Sequence, residues 1–346
     1  MFPAAWKATD IVVEPEVGTS AARKKRAALS FILTDPTGRQ RRVIVEAKPG
    51  LEPRDINNLA QYLEDFRSSD TSLLVVAPYI SMQAAALLTA SNISYLDATG
   101  NMRVQIEQPA LYIERQGAAK NPWTHERTLQ SLSGPAAGRV VRALCDYRPP
   151  YGIRKLAAYA ETLPGTTSKI LSLLDREALT QRAARGKYSG EIVEVKWAAL
   201  IRRWTQDYTF EASNNVAAYL EPRGLEALFR KLNDPAVSPG RYGITGSFAS
   251  AYYAPIVQPR LLAMYVENRG EAAWALGLRR AERGANVMLA EPFDQVVFSR
   301  SIQREGLTFV ALSQVAPDLL TGSGRGPQEG AALLQWMEEH DDVWRR

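Results

Sequence analysis

Residues 152–204 read GIRKLAAYAETLPGTTSKILSLLDREALTQRAARGKYSGEIVEVKWAALIRRW. Ile153, Leu156, Ala157 and Ala160 recur at helical spacing and give a short amphipathic helix, Ile153 to Ala160. Glu161-Thr-Leu-Pro-Gly165 reads as a turn. A second helix is predicted from Thr166, with Ile170, Leu173 and Leu174 at i, i+3 and i+4. A basic stretch with a glycine hairpin, Gln181 to Gly190, follows, then an alternating strand with Ile192, Val193 and Val195, then Trp197.

Two short helices joined by a tight turn, then a basic hairpin, predict a winged helix-turn-helix. A helix that enters the major groove needs a polar outer face and an apolar back. On the second helix the outward positions are Thr166, Ser168, Lys169, Ser172 and Arg176. Small hydroxyl and cationic side chains of this kind suit base edges and phosphates. Arg182, Arg185 and Lys187, with Tyr188 beside them, form the hairpin's cationic cluster. A wing carrying such groups lies along the backbone or minor groove, where they replace counterions. The same fold also serves as a protein-interaction or dimerisation module, and the clustered cations tip the reading toward double-stranded DNA.

Bulk composition agrees. The chain has 346 residues, 46% of them hydrophobic, which accommodates two or three packed domains. Its net charge is +5 and its pI about 9.2. From Ser131 to Thr205 there are 13 Lys/Arg against 6 Asp/Glu, and from Met1 to Gly50 there are 9 against 5. The positive field therefore sits in these two stretches. A single cysteine, Cys145, excludes an internal disulfide and a multi-cysteine zinc site, and fits a reducing compartment. Two histidines, His125 and His340, leave little material for histidine-based catalysis. No apolar run approaches the roughly 18–20 residues that span a bilayer, and Met1 to Trp6 carries no signal-peptide core. A cytoplasmic, nucleoid-associated protein with no membrane partner is expected.

Three regions follow from the pattern. Residues 1–120 alternate strands and helices. Ala27 to Leu33 and Arg42 to Glu46 pair around Asp35-Pro-Thr-Gly38, and Asp55 to Phe66 is helical. Leu73 to Ala77 is a buried strand, Ser81 to Ser91 a helix, and two strands flank Asp97-Ala-Thr-Gly-Asn101. Residues 128–208 hold the winged helix, and residues 209–346 a mixed α/β region. The expected fold class is multidomain: an α/β domain, a winged helix-turn-helix, and a mixed α/β (α+β) domain.

The first region contains Val43-Ile-Val-Glu46-Ala-Lys48. An acid and a lysine two apart on a strand point to one face. The pair resembles the E-x-K half of the PD-(D/E)XK nuclease signature, with Gln61 and Tyr62 on the following helix. The resemblance implies a restriction-endonuclease-like fold. In an active enzyme Glu46 would bind Mg²⁺, Lys48 would help position the attacking water, and Gln61 would complete the set. The upstream aspartate of the signature is missing. Asp35 lies in the turn, and Asp10, Glu14 or Glu16 would have to fold back instead. The domain is therefore expected to be degenerate, with no catalytic residue, metal or other cofactor. A Mg²⁺-dependent endonuclease is the alternative, and a surface ion pair is the plain reading.

Tyr242-Gly-Ile-Thr-Gly246-Ser247 resembles the strand-to-helix opening of a polymerase-β-like nucleotidyltransferase. The next strand, Leu261 to Glu267, offers only Glu267 where such enzymes need two carboxylates. Gly322-Ser-Gly-Arg-Gly326 lacks the ending of a phosphate loop and opens a helix. Taken together, Leu173-Leu-Asp-Arg-Glu177, Val195-Lys-Trp197, Arg202-Arg-Trp204, Thr245-Gly-Ser247 and Gly284-Ala-Asn286 make residues 130–346 similar to bacterial helix-turn-helix regulators of the AbiEi-type antitoxin group. The resemblance implies an operon repressor and a C-terminal region for dimerisation or toxin neutralisation. It also implies a nucleotidyltransferase toxin as possible partner. A homodimer on a two-fold operator is expected. The long N-terminal α/β region departs from the usual antitoxin.

Overall fold

The computed structural model describes residues 5–13, 16–17, 25–123, 131–184 and 188–346, and these make a mixed α/β protein with several sheets. The chain divides into two compact units, Met1–Thr128 with Asp175–Ala178, and Leu129–Leu174 with Leu179–Arg346.

In the first unit the elements run β1 (Lys7–Val13), β2 (Glu16–Val17), β3 (Lys25–Arg26), β4 (Leu29–Thr34), β5 (Gln40–Ala47), α1 (Ile56–Glu64), β6 (Thr71–Ala77), α2 (Met82–Ala90), β7 (Ser94–Asp97), β8 (Met102–Ile106) and β9 (Leu111–Arg115). Seven of the strands form one sheet in the order β1-β4-β5-β6-β7-β8-β9, and β2 pairs with β3 separately. The β5–β6 and β6–β7 pairs are parallel and the others antiparallel. Parallel neighbours need a crossover, and α1 and α2 supply the two. Alternation along the strands sorts the core. Ile44, Leu73 and Val75 face Ile56, Leu59 and Leu63 of α1 and Leu88 of α2. Val43, Val45 and Leu74 face the other side with Phe31, Leu33, Val104 and Ile106. Each such side chain stabilises the fold by about 1.5–3 kcal/mol relative to exposure.

One five-residue turn is used twice. In Asp35-Pro-Thr-Gly-Arg39 and in Asp97-Ala-Thr-Gly-Asn101 the aspartate Oδ1 accepts from the Thr backbone N–H, the Thr hydroxyl and the fifth residue's N–H, all at 2.7–2.9 Å. Gly38 and Gly100 take φ of 87° and 95°, a conformation that costs glycine little.

The second unit begins with α3 (Pro135–Asp146), α4 (Ile153–Tyr159), α5 (Pro164–Arg176, its last two residues, Asp175 and Arg176, grouped with the first unit), β10 (Thr180–Arg182), β11 (Ile192–Val195), α6 (Trp197–Trp204) and α7 (Phe210–Ser213). It continues with β12 (Asn215–Leu220), α8 (Leu225–Leu232), β13 (Tyr242–Thr245), α9 (Gly246–Ser250), β14 (Leu262–Val266), α10 (Arg269–Leu276), β15 (Arg279–Arg280) and β16 (Val287–Glu291). A 3-10 turn at Gln295–Phe298, β17 (Ile302–Arg304), β18 (Leu307–Phe309), α11 (Leu312–Leu320), α12 (Gly326–Glu339) and α13 (Asp341–Trp344) close the chain. Its large sheet has the order β15-β12-β16-β14-β13-β18-β17.

The expected boundary near residue 208 does not separate two cores. One buried apolar cluster runs from Leu132 through Leu144, Leu174, Trp204, Tyr265, Leu289 and Val315 to Trp344. The cause lies on α3. Gly138 lets the rings of Phe293 and Trp204 approach the helix, where a Cβ would lie 2.6 Å from Phe293. Arg142 is 1% exposed and reaches across to the far half of the unit. It donates from Nε to Ser313 Oγ (2.8 Å), from Nη1 to Gln314 Oε1 (3.1 Å) and Val296 O (3.3 Å), and from Nη2 to Asp146 Oδ2 (3.3 Å) and Ser299 O (3.1 Å). All five guanidinium N–H groups are thereby used.

Candidate functional site

The α4–turn–α5 segment carries the residues singled out from the sequence. In α4, Leu156 and Ala157 turn inward while Arg154 and Lys155 are exposed. The turn is tight. Glu161 sits at φ 48°, and its carbonyl accepts from Arg139 Nη1 at 3.0 Å. Arg139 also grips Asp294 through Nε (2.9 Å) and Nη2 (3.0 Å), which raises its pKa and ties the turn to the 3-10 segment. Helix α5 starts at Pro164, two residues before the expected Thr166, because proline suits a first helical position. Thr167 is buried, with its hydroxyl on Leu163 O (3.1 Å) and against that of Thr162 (2.8 Å).

With Thr167, Ile170, Leu171, Leu173 and Leu174 buried, the opposite side of α5 presents Lys169, Ser172 and Arg176 at i, i+3 and i+7. Lys169 and Ser172 are exposed and Arg176 is half-buried. Ser168 flanks this line, and Thr166 stands on the other flank, near the buried Leu173; both are half-buried. The Ser172 hydroxyl donates to Ser168 O at 2.9 Å.

Strands β10 and β11 form an antiparallel hairpin in which Thr180 faces Val195 and Gln181 faces Glu194, with a bulge before Arg182. Tyr151 extends this sheet by two backbone bonds to Ile192, at 3.2 and 3.0 Å. Arg182 is half-buried, and Tyr188 is exposed near the tip beside Gly190, which has φ 80°. Arg185 and Lys187 lie outside the described residues, as does His125.

Carboxylates meet part of the charge surplus of this stretch. Arg139, Arg142, Arg148 and Arg203 meet Asp294, Asp146, Asp341 and Asp207 at 2.9, 3.3, 3.1 and 2.6 Å. Exposed positive charge rests on Arg148, Arg154, Lys155, Lys169, Lys196 and Arg202. Arg154 and Lys155 were not among the residues expected from the sequence. Their i, i+1 position opposite Leu156 and Ala157 was the available signal.

In the first unit Lys48 Nζ donates to Glu46 Oε1 at 2.8 Å, with Glu46 buried and Lys48 half-exposed. Leu29 faces Val45 in the β4–β5 ladder, so Glu46 is level with Ala28. Asp35 is then seven residues along the strand, about 20 Å away at roughly 3.3 Å per residue. Asp10 is exposed at the β1 bulge. Glu14 and the side chain of Glu16 lie outside the described residues. Gln61 is exposed, opposite the side of α1 that buries Leu59 and Leu63, so the fold does not turn it toward the sheet. Among the described residues no group of three or more His, Cys, Asp or Glu is placed to hold a metal ion. A buried carboxylate not anticipated from the sequence is Asp97. Burial pushes its carboxyl up, but hydrogen bonds from Asn101, Ile80 and Thr99 outweigh that and hold it below the usual range.

In the second unit the strand-to-helix junction β13–α9 stands as read, with Gly246 at φ 67°. Glu267 is at the wrong end of it. Tyr242 faces Val266 and Thr245 faces Ala263, so Glu267 follows the end of β14 farthest from Gly246 and Ser247. Beneath the junction lies Asp318, buried. Its Oδ2 accepts from Thr245 (2.6 Å), its Oδ1 from Tyr208 (2.6 Å) and Gln314 (2.9 Å), and both face Tyr265 at 3.0 Å. Burial pushes the Asp318 carboxyl up to about 6 against these bonds, and pushes both tyrosine hydroxyls well up.

No family model, characterised protein or solved structure matches this chain. No helix of the described residues is long and apolar enough to cross a membrane.

Proposed function

We propose that this protein is a sequence-specific DNA-binding transcription regulator of the winged helix-turn-helix kind, antitoxin-like in its C-terminal half. The observation that carries the reading is the outward line Lys169, Ser172 and Arg176 on a helix whose opposite side is wholly buried. A rigid helix with short polar and cationic groups on one face fits the major groove. Thr166 and Ser168 flank that line. Arg154 and Lys155 on α4 supply phosphate contacts beside it. The β10–β11 hairpin, with Arg182, Arg185, Lys187 and Tyr188, is the wing. The clamp of Arg139 on the Glu161 turn supports the reading too, since a reading helix must be held in register. A homodimer on a two-fold site belongs to the same proposal.

In this reading the first unit is a degenerate nuclease-like domain, and the Glu46–Lys48 contact is an ion pair. Incubating the protein with plasmid and Mg²⁺ checks this: cutting that Glu46→Ala abolishes would make it an endonuclease. Recovery of a nucleotidyltransferase on the region after Phe210 in pull-downs would add toxin neutralisation.

The main test selects binding sites from a random duplex pool and then measures affinity over a salt series. An enriched motif is expected. Lys169→Ala and Arg176→Ala each weaken binding by roughly 5- to 150-fold, the scale of about 1–3 kcal/mol per contact. Arg154→Ala lowers the salt slope by about 1. Arg283→Ala, exposed in the loop before β16, serves as control. No enriched motif, or Lys169→Ala and Arg176→Ala variants that bind like the control, overturns the proposal.

A further inference from the structure

Two glycine-bearing loops singled out separately in the sequence meet at one cavity of the second unit. The cavity, about 640 Å³, is lined by Gly246 and Ser247 on one side and by Gly322, Ser323, Arg325 and Gly326 on another. A volume of this size is that of a small-molecule site. Phe210, Leu261 and Met288 give it an apolar wall, and Arg260 and Arg325 stand at it. Among the described residues neither guanidinium meets a carboxylate within ion-pair distance, and both are exposed. Glu329 also lines the cavity. It is 5% exposed, and its Oε2 finds no hydrogen-bond donor among the described residues. A buried carboxylate oxygen without a donor is costly, and such a group marks a place where a ligand's donor belongs. The α12 backbone does not fill this role, because Gln328 N and Glu329 N are already bonded to Arg325 O.

We propose that this cavity binds a small phosphate ester that also carries a hydroxyl or amino group. The two guanidiniums take the phosphate, since planar N–H forks match its oxygens. Glu329 accepts from the ligand's hydroxyl or amine. The apolar wall holds the remaining body. Asp318, at the floor, has its oxygens saturated by Thr245, Tyr208, Gln314 and Tyr265 and serves the wall rather than the ligand. This site does not depend on the DNA-binding reading.

The test titrates the full-length protein by calorimetry with adenosine 5′-monophosphate, ribose 5-phosphate and inorganic phosphate. Saturable binding of at least one ester, tighter than inorganic phosphate, is expected; which ester is preferred tells whether a base or a sugar occupies the apolar wall. Arg260→Ala and Arg325→Ala each weaken ester and inorganic phosphate alike, by tenfold or more. Glu329→Gln weakens the ester alone, while the unliganded variant melts at the same temperature or higher, because the buried Oε2 that finds no donor among the described residues is gone. That opposite movement of stability and affinity separates a binding group from a structural one. No saturable binding of any probe overturns the proposal. So does ester binding that survives both arginine substitutions, or a Glu329→Gln variant that melts lower and binds the ester as the wild type does.

Discussion

Replacing Arg142 with methionine tests whether the α3 helix and the far half of the second unit are one structure. The side chain is of similar reach but offers none of the five donors. Asp146, 4% exposed at its side chain, loses its partner at 3.3 Å. Removing one member of a buried pair costs about 3–5 kcal/mol, because the other charge is left without compensation. Val296 O, Ser299 O, Gln314 Oε1 and Ser313 Oγ each lose a donor as well, at about 1 kcal/mol apiece. Asp146 keeps a bond from the Ser313 hydroxyl and the more distant Arg300 at 3.8 Å, which offsets part of the loss. The net expectation is a destabilisation on the order of 4 kcal/mol, or roughly 10 °C in Tm. Urea unfolding followed by tryptophan fluorescence reads it, since Trp197, Trp204, Trp274, Trp336 and Trp344 all lie in this unit. The double variant Arg142→Met with Asp146→Leu recovers at least half of the loss, because no buried charge remains. A single-variant cost under about 1 kcal/mol, or a double variant less stable than the single one, refutes the reasoning.

Three further outcomes are expected. Asp318 holds its proton in the folded state up to about 6, against 3.8 ordinarily, so its stabilising contribution is complete below about pH 4 and is lost as pH rises to about 6. The stability difference between wild type and Asp318→Asn therefore shrinks by on the order of 3 kcal/mol across that window in urea unfolding at stepped pH, and a constant difference contradicts it. Gly117→Ala drives a Cβ into the backbone of Thr99 and Asn101 and destabilises the first unit by about 1–3 kcal/mol or more, seen as faster amide exchange in β7 to β9. Cys145 is fully buried, and burial pushes its thiol up, so a thiol reagent modifies it only at the rate at which the second unit opens. Prompt labelling of the native protein speaks against that packing.

Much of the fold was legible because local chemistry and burial agreed. The apolar run at Leu73 to Ala77, the Asp-x-Thr-Gly turns, and the 3.6-residue spacing of Leu156, Ile170 and Leu174 each specify an element without distant help. Elements whose pattern is weak were not. Strand β12, Asn215–Leu220, is half-buried along most of its length, so it shows no alternation, and only pairing with β15 and β16 makes it a strand. Helix α11 contains Pro317 and the polar Ser313, Gln314 and Asp318, all of them buried, a composition that argues against a core helix until its partners are known. Glu46 and Lys48 were legible as a same-face pair, because strand alternation is local.

From periodicity alone come the outward line of α5 and its apolar back, since each depends on neighbours within a few residues. Tertiary structure decided part of the charge compensation, because Arg139 meets Asp294, 155 positions away, and Arg148 meets Asp341, 193 positions away, whereas Arg142–Asp146 and Arg203–Asp207 are pairs four residues apart. It also decided that residues 209–346 share a core with α3, and that two unrelated loops close around Glu329. Charge compensation and cavity formation depend on contacts between distant segments, and periodicity along the chain carries no record of them.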